Sequence, residues 1–379
     1  MIKVIDRRRF NEPNALTKNT ICWNMIVRDE AQYIENTIKS ALPFITHAAI
    51  IDTGSKDNTL QICQETCNNL GLPITIKTSE WKNFEHNRNE ALKLAQEMNC
   101  DYIMLMDGRT KLFPDTNFKL PDPLEKDCYE ILEKYCSLQY LRPFLIRSNL
   151  PWIWKGETHE YLDCQRFYTT YPLSGIYRER PGKTPEQYKE KLERDLGLLL
   201  GAYRKNPDDC RTIFYLAQTH RDLGNFKEAI DLYTRRMEMG GWDEEAWWSA
   251  YQIGCVSEQL DLSEKEIVFS YLRAYNRRPT RAEPIYRLAR YYRCHNYHDA
   301  AFLFAQQAVN IPIPNDRLFV EKEVYEWRAL DELAISAYWV GKYYLSKLIC
   351  DRILNLSLPE NEASRIISNR SFAEGKINA

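Results

Sequence analysis

A chain of 379 residues with 44% hydrophobic and 27% charged side chains can bury two ordinary cores without disulfides or metals to staple them. Its formal net charge of −2 gives no electrostatic footprint for nucleic acid or an anionic membrane. The one basic run, Arg7-Arg8-Arg9, reads as a solvated arm.

Eleven cysteines are odd in number and form no Cys-x-x-Cys pair. That pattern fits reduced thiols in the cytoplasm rather than a disulfide framework or a zinc site. Cys63 and Cys67, four apart, read as one face of a helix. No apolar run reaches membrane-spanning length, so a soluble protein that nothing exports is expected.

In chain order, Thr20–Val27 reads as a buried strand and Glu30–Ala41 as a helix with Tyr33, Ile34 and Ile38 on one face. Ala48–Ile51 is a second strand and Lys56–Leu70 a second helix. Pro73–Lys77 is a third strand, Phe84–Met98 a third helix and Tyr102–Met106 a fourth strand. This alternation predicts right-handed βαβ units, a mostly parallel sheet and a Rossmann-like α/β domain. Ligands of such sheets bind beyond the carboxyl ends of the strands. Those ends carry Arg28-Asp29-Glu30, Asp52-Thr53-Gly54-Ser55, the Lys77–Glu80 turn and Asp107-Gly108-Arg109. From 110 to 180 the chain is rich in proline, with extended pieces at Leu141–Ile146 and Pro151–Lys155, and is expected to complete the sheet with mixed or antiparallel strands.

Beyond 185 the pattern is helical only. Leu216-Ala217, Gly224, Ala229 and Tyr233 have the spacing of a helix-turn-helix repeat of about 34 residues. Leu288-Ala289, Ala301 and Ala308 repeat it. Tyr271, Ala274 and Pro279 mark a middle unit offset by about one residue at its start, and Leu333-Ala334 with Gly341 begins a fourth. Small residues recur where paired helices cross closely, and glycine turns the chain between them. Three or more such units suffice for a stable stack. The expected division is 1–185 for the α/β domain and 186–379 for an all-α repeat domain of tetratricopeptide type.

Five ordered elements carry the chemistry: Met25–Glu30, the run Ile51-Asp52-Thr53-Gly54-Ser55-Lys56-Asp57-Asn58-Thr59, Arg88-Asn89-Glu90-Ala91-Leu92, Leu105-Met106-Asp107, and Thr158-His159-Glu160. Together they resemble glycosyltransferase family 2, on the A-type glycosyltransferase fold, and within it members with C-terminal tetratricopeptide repeats. Gly240-Gly241-Trp242 and Asn276–Pro284 are similar to that subgroup too. The resemblance implies an inverting transfer of a hexose or N-acetylhexosamine from a nucleotide-sugar donor, a UDP-sugar in the first instance, to a hydroxyl of a glycan or peptide acceptor. It implies donor contacts from Val27, Arg28, Glu30, Asp52, Ser55, Arg88, Asp107 and Arg109. Glu160 is the candidate base and Asp163 the reserve.

Several of these residues also have a purely structural reading. Asp29 with Gln32 makes a capping box, Asp52 an Asx turn, and Asp107-Gly108 a hairpin turn. Gly54 and Ser55 are expected to leave N–H groups facing the ligand. The family pattern pairs two carboxylates one residue apart to hold a divalent cation, Mn²⁺ or Mg²⁺, against the diphosphate, but here Arg109 occupies the second place. Either Asp107 binds the cation, alone or with His159, or Arg109 itself neutralises the diphosphate. The same substitution motivates a rival, a non-catalytic glycan- or protein-binding module. A nucleotidyltransferase is disfavoured because no Gly-rich, Lys-containing loop follows the first strand. Trp154 (with Trp152) can stack on an acceptor sugar or belong to the core. Lys189, Lys191 and Arg194 can form a basic loop or a solvated helix face. The repeat domain, with Trp247, Trp248, Tyr275, Tyr291 and Tyr292, can hold the acceptor or mediate self-association.

Overall fold

The computed structural model describes residues 19–378 apart from 136–137; Arg7-Arg8-Arg9 and Cys136 lie outside the described residues. The chain divides into two compact units, 1–188 and 189–379.

The N-terminal unit is built on β1 (Ile21–Val27), β2 (His47–Asp52), β3 (Ile74–Thr78), β4 (Tyr102–Leu105), β5 (Lys111–Pro114), β6 (Cys128–Tyr135), β7 (Leu138–Arg147) and β10 (Thr170–Glu179), with the hairpin β8 (Trp152–Lys155) and β9 (Tyr161–Cys164) apart from them. The eight-stranded sheet has the order β3-β2-β1-β4-β7-β6-β10-β5. Its first four strands are parallel, and β7 joins β4 antiparallel. The hairpin turn that is the alternative structural reading of Asp107-Gly108 does not join β4 to β5, because β5 pairs with β10 instead.

Alternation along the strands sorts the side chains into two cores. Trp23, Met25, Met104 and Ile50 pack with Ile34, Ile38, Cys63 and Cys67 of the helices α1 (Ile34–Ala41) and α2 (Thr59–Asn69). Cys22, Ala49, Ile51, Ile103 and Leu105 pack on the other face, against Ala91, Leu92 and Ala95 of α3 (Phe84–Gln96) and against Trp152 and Trp154. The ten described cysteines are free thiols. Register aligns Val27 with Asp52 and Asn24 with Leu105, so β1 and β2 end level while β4 stops beside the middle of β1.

The second unit is all helical: α4 (Pro185–Lys205), in which the division falls, then the pairs α5 (Cys210–Asp222)/α6 (Phe226–Glu238), α7 (Asp243–Gln259)/α8 (Glu264–Arg277), α9 (Glu283–Cys294)/α10 (His298–Val309) and α11 (Ala329–Trp339)/α12 (Tyr343–Leu354), closed by α13 (Glu360–Ile377). Ala217, Ala229, Tyr233, Tyr271, Ala274, Ala289, Ala301, Ala308 and Ala334 are all buried where helices cross. Gly224 and Gly341 turn the chain at φ +81° and +77°.

The obscured start of the middle repeat is Ile253-Gly254. There the Tyr271 ring fills the room that alanine takes in the other units, and a Cβ on Gly254 would stand 2.6 Å from it. Gly254→Ala is expected to lower the thermal midpoint despite gaining about 1 kcal/mol of helix propensity, because overpacking costs about 1–3 kcal/mol. Gly197→Ala in α4, where a Cβ meets nothing within 4 Å, is expected to raise it. The same direction for both would contradict the crossing geometry.

Buried ion pairs explain the two segments singled out around the repeats. Arg236 donates to the carbonyls of Gly240 and Trp242 and pairs with Glu245. Arg281, with no exposure, grips Glu283 at 2.7 Å and lies 3.8 Å over the Trp247 ring. Trp247, Trp248 and Tyr291 are buried and serve packing. Lys191 and Arg194 pair with the buried Asp195 of their own helix and Lys189 with Glu193, so these three are a helix face rather than a loop.

Candidate active site

The loops after β1 and β2 hold each other. Asp29, at φ +53°, accepts from Lys56 N–H at 2.7 Å and donates its own N–H to Ser55 Oγ at 3.1 Å. Glu30 N–H donates to Thr59 Oγ1 and Ala31 N–H to the Asp57 carboxylate. The capping box of Asp29 with Gln32 is therefore not formed. Those N–H groups are satisfied by the neighbouring loop, and α1 begins only at Ile34, with no side-chain cap.

Asp52, 2% exposed, accepts from Gly54 and Ser55 N–H at 3.1 and 3.2 Å, so these N–H groups close its Asx turn instead of facing outward. Val27 is in the core, and its carbonyl accepts from both Thr53 N–H and Oγ1. Arg28 is half-exposed, 3.8 Å from Asp29.

At the end of β4, Thr110 N–H returns to the Asp107 carbonyl, a turn centred on Gly108-Arg109. Glycine is required at 108 by close approach: a Cβ there would lie 2.8 Å from Glu30 Cγ. Glu30 in turn accepts from Arg109 Nε at 2.7 Å, and the guanidinium rests 5.3 Å from the Tyr33 ring. Burial lifts the Glu30 pKa above its ordinary value, outweighing the pull of Arg109.

Arg88 is the hub. From α3 it donates to Asp107 Oδ1 at 2.6 Å, pairs through Nε with Glu160 Oε1 at 2.7 Å, and lies 4.9 Å over the Trp154 ring. Burial alone would disfavour its charge, but Asp107 and Glu160 hold it protonated. Burial alone would likewise raise the Asp107 pKa; the charges of Arg88, Arg142 and Arg178 hold it far below the usual carboxylate range.

The rest of the α3 motif fixes the hairpin. Asn89 pairs with both backbone groups of Trp154, and Glu85 accepts from Gly156 N–H. Trp154, 5% exposed and covered by Arg88, supports that guanidinium and offers no face to an acceptor sugar. Trp152 is core as well. The β8–β9 register sets Ile153 opposite Asp163 and Trp154 opposite Leu162, so Asp163 lies on the hairpin face away from Arg88. It pairs there with Lys155 at 2.6 Å, 35% exposed, and is no reserve base.

His159, at φ +52°, sits in the loop before Glu160. Among the described residues no three His, Cys, Asp or Glu side chains gather as ligands for a metal, and the Asp107 carboxylate is already held by a guanidinium. The residues present do not fit a divalent cation shared by Asp107 and His159.

Four neighbours were not foreseen. Glu133 on β6, 2% exposed, pairs with Arg178 at 2.7 Å and Arg180 at 3.3 Å, and stands 3.7 Å from Arg142. Arg178 also donates to the Leu105 carbonyl at the end of β4, which places this group beside Asp107. No local pattern in the 130–180 stretch marks these four, because their partners lie on other strands of the sheet. A separate cavity lined by Gln96, Asp101, Arg147 and Pro151 lies at the amino ends of the parallel strands, away from these loops.

Residues 22–133 match the family model described as glycosyl transferase family 2. This stretch of the chain is a glycosyl transferase family 2 domain. No curated protein matches the chain. Among solved structures, MamA is similar at 14% identity over 51% of this chain and 92% of that one, with a TM-score of 0.34. The C-terminal part of a TPR repeat-containing protein from Cytophaga hutchinsonii is similar at 12% identity over 50% and 68%, TM-score 0.41. YrrB, a TPR protein with an unusual peptide-binding site, is similar at 13% over 48% and 86%, TM-score 0.36. The family 2 match contains Asp52, Arg88, Asp107 and Glu133, whereas Arg142, Glu160, Arg178 and Arg180 come from the strands and hairpin that follow it.

Proposed function

We propose that this chain is an inverting glycosyltransferase that moves a hexose or N-acetylhexosamine from a nucleotide-sugar, in the first instance a UDP-sugar, to a hydroxyl acceptor. The observation that carries the reading is Arg88, which ties Asp107 at the end of β4 to Glu160 at the hairpin tip within a family 2 framework. Donor-side and acceptor-side groups thereby meet at the strand ends, where open α/β sheets bind ligands. Asp52, with Arg28 beside its loop, serves the nucleoside; Arg88 and Arg109 serve the diphosphate. In the transfer, the acceptor oxygen bonds to the anomeric carbon and its proton passes to the Glu160 carboxylate. The bond from the anomeric carbon to the phosphate oxygen breaks, and its electron pair leaves with the nucleoside diphosphate. The repeat unit would hold a glycan or peptide acceptor, or join two copies of the chain.

Calorimetric titration of the full chain with UDP, GDP and UDP-sugars tests the donor site. Micromolar binding of UDP is expected, and failure of every nucleotide to bind would remove the reading. A second reading, a binding module without turnover, is favoured by the Glu30–Arg109 pair, which occupies the place of the second carboxylate. Release of UDP from a UDP-sugar, with or without acceptor, decides against it.

A further inference from the structure

Arg88, Arg142, Arg178 and Arg180 converge on Asp107, Glu133 and Glu160 in a largely buried group. Arg178 binds Glu133 and the Leu105 carbonyl. Arg180 donates to Tyr140 Oη, which itself donates to Glu133. Arg142 feels the charges of Glu133, Asp107 and Glu160, which keep it protonated although burial opposes its charge. Four guanidiniums thus face three carboxylates, and Arg142 and Arg180 keep part of their side chains, 23% and 34%, open to solvent.

Buried charges are costly unless compensated, and the guanidinium fork suits phosphate oxygens, which it can grip in pairs. A divalent cation would have to displace Arg88 from Asp107 and lie among these guanidiniums. An anion entering the same space would instead meet the N–H donors of the partly exposed Arg142.

We propose that the diphosphate of the donor is bound by this guanidinium group, with Arg88 and Arg142 as direct contacts and Arg178 and Arg180 behind them, and that binding needs no divalent metal ion. The leaving nucleoside diphosphate is then met by fixed cations that undergo no reorganisation during the reaction. This inference rests on the sugar-nucleotide reading of the same site.

The test is calorimetry of UDP with the metal-stripped full chain, in EDTA and in manganese chloride, for wild type and Arg142→Gln. Equal affinity in the two buffers, within about twofold, is expected, with a loss of about tenfold in the variant. Binding that appears only with manganese, or an unchanged affinity in a folded Arg142→Gln, overturns the inference while leaving the sugar-nucleotide reading intact. No binding of UDP or GDP in either buffer removes both. The EDTA comparison uses wild-type protein and decides alone if the variant does not fold.

Discussion

Glu160→Gln is expected to lower sugar transfer by about 10²- to 10⁴-fold while leaving UDP binding within about threefold of wild type. The amide keeps the shape of the carboxylate and removes its capacity to take the acceptor proton. Arg88 loses one of its two carboxylate partners but keeps Asp107 at 2.6 Å, so the guanidinium stays in place on the Trp154 ring. Asp163→Asn is the matched control. Its carboxylate lies on the other face of the hairpin with Lys155, and transfer should fall by no more than about twofold. Product formation followed by mass spectrometry, alongside calorimetry of UDP, separates the two steps. Wild-type turnover in Glu160→Gln, or a large loss in Asp163→Asn, would move the proton acceptor elsewhere.

The second large effect concerns stability. Glu133→Gln leaves Arg142, Arg178 and Arg180 without their shared counter-charge, and removal of one member of a buried ion pair costs about 3–5 kcal/mol. For a unit of this size that corresponds to a fall of roughly 10 °C in the midpoint.

The pH dependence follows from the Glu133 pKa. Burial would raise it, but Arg178, Arg142 and Arg180 more than reverse that, so the folded value lies below the ordinary 4.5. A carboxyl depressed on folding contributes fully above its unfolded pKa and loses its contribution as pH falls through the folded one. Asp107, shifted in the same direction, adds to the acid sensitivity. Urea unfolding at neutral pH should therefore show the full gap between wild type and Glu133→Gln, and the gap should narrow as pH drops below about 4.5. A gap that stays constant or widens with acid would contradict the ionised network.

The first half of the sheet was readable from sequence because β1, β2 and β4 are buried on both faces and give continuous apolar runs. Their limits fall within one or two residues of expectation. The start of α1 was misplaced from Glu30 to Ile34 because Asp29, Glu30 and Ala31 spend their N–H groups on Ser55, Thr59 and Asp57 of the next loop, a contact between segments that periodicity cannot display. For the same reason nothing local in the Asp52–Thr59 run shows that the Gly54 and Ser55 N–H groups turn back to the Asp52 carboxylate.

The face of Asp163 was recoverable in principle. Alternation in Tyr161-Leu162-Asp163-Cys164 sets Asp163 apart from Leu162 and Cys164, which pack with Trp152 and Trp154. Glu133, Arg142, Arg178 and Arg180 were not recoverable that way, because their partners come from three strands whose order, β7-β6-β10, no local pattern encodes.

That order also has a temporal consequence. Chains leave the ribosome from the amino end and domains begin to organise as they emerge. The parallel strands β1 to β4 are complete by Leu105, yet Glu133 waits 45 residues for Arg178, and β5 waits for β10 as its neighbour. A nascent chain arrested before Thr170 would hold the apolar layers around α1, α2 and α3 but lack Arg178, Arg180 and a partner for β5. The ion-pair network around Glu133 is therefore the last part of this unit to be completed during translation, just before the helical array is made.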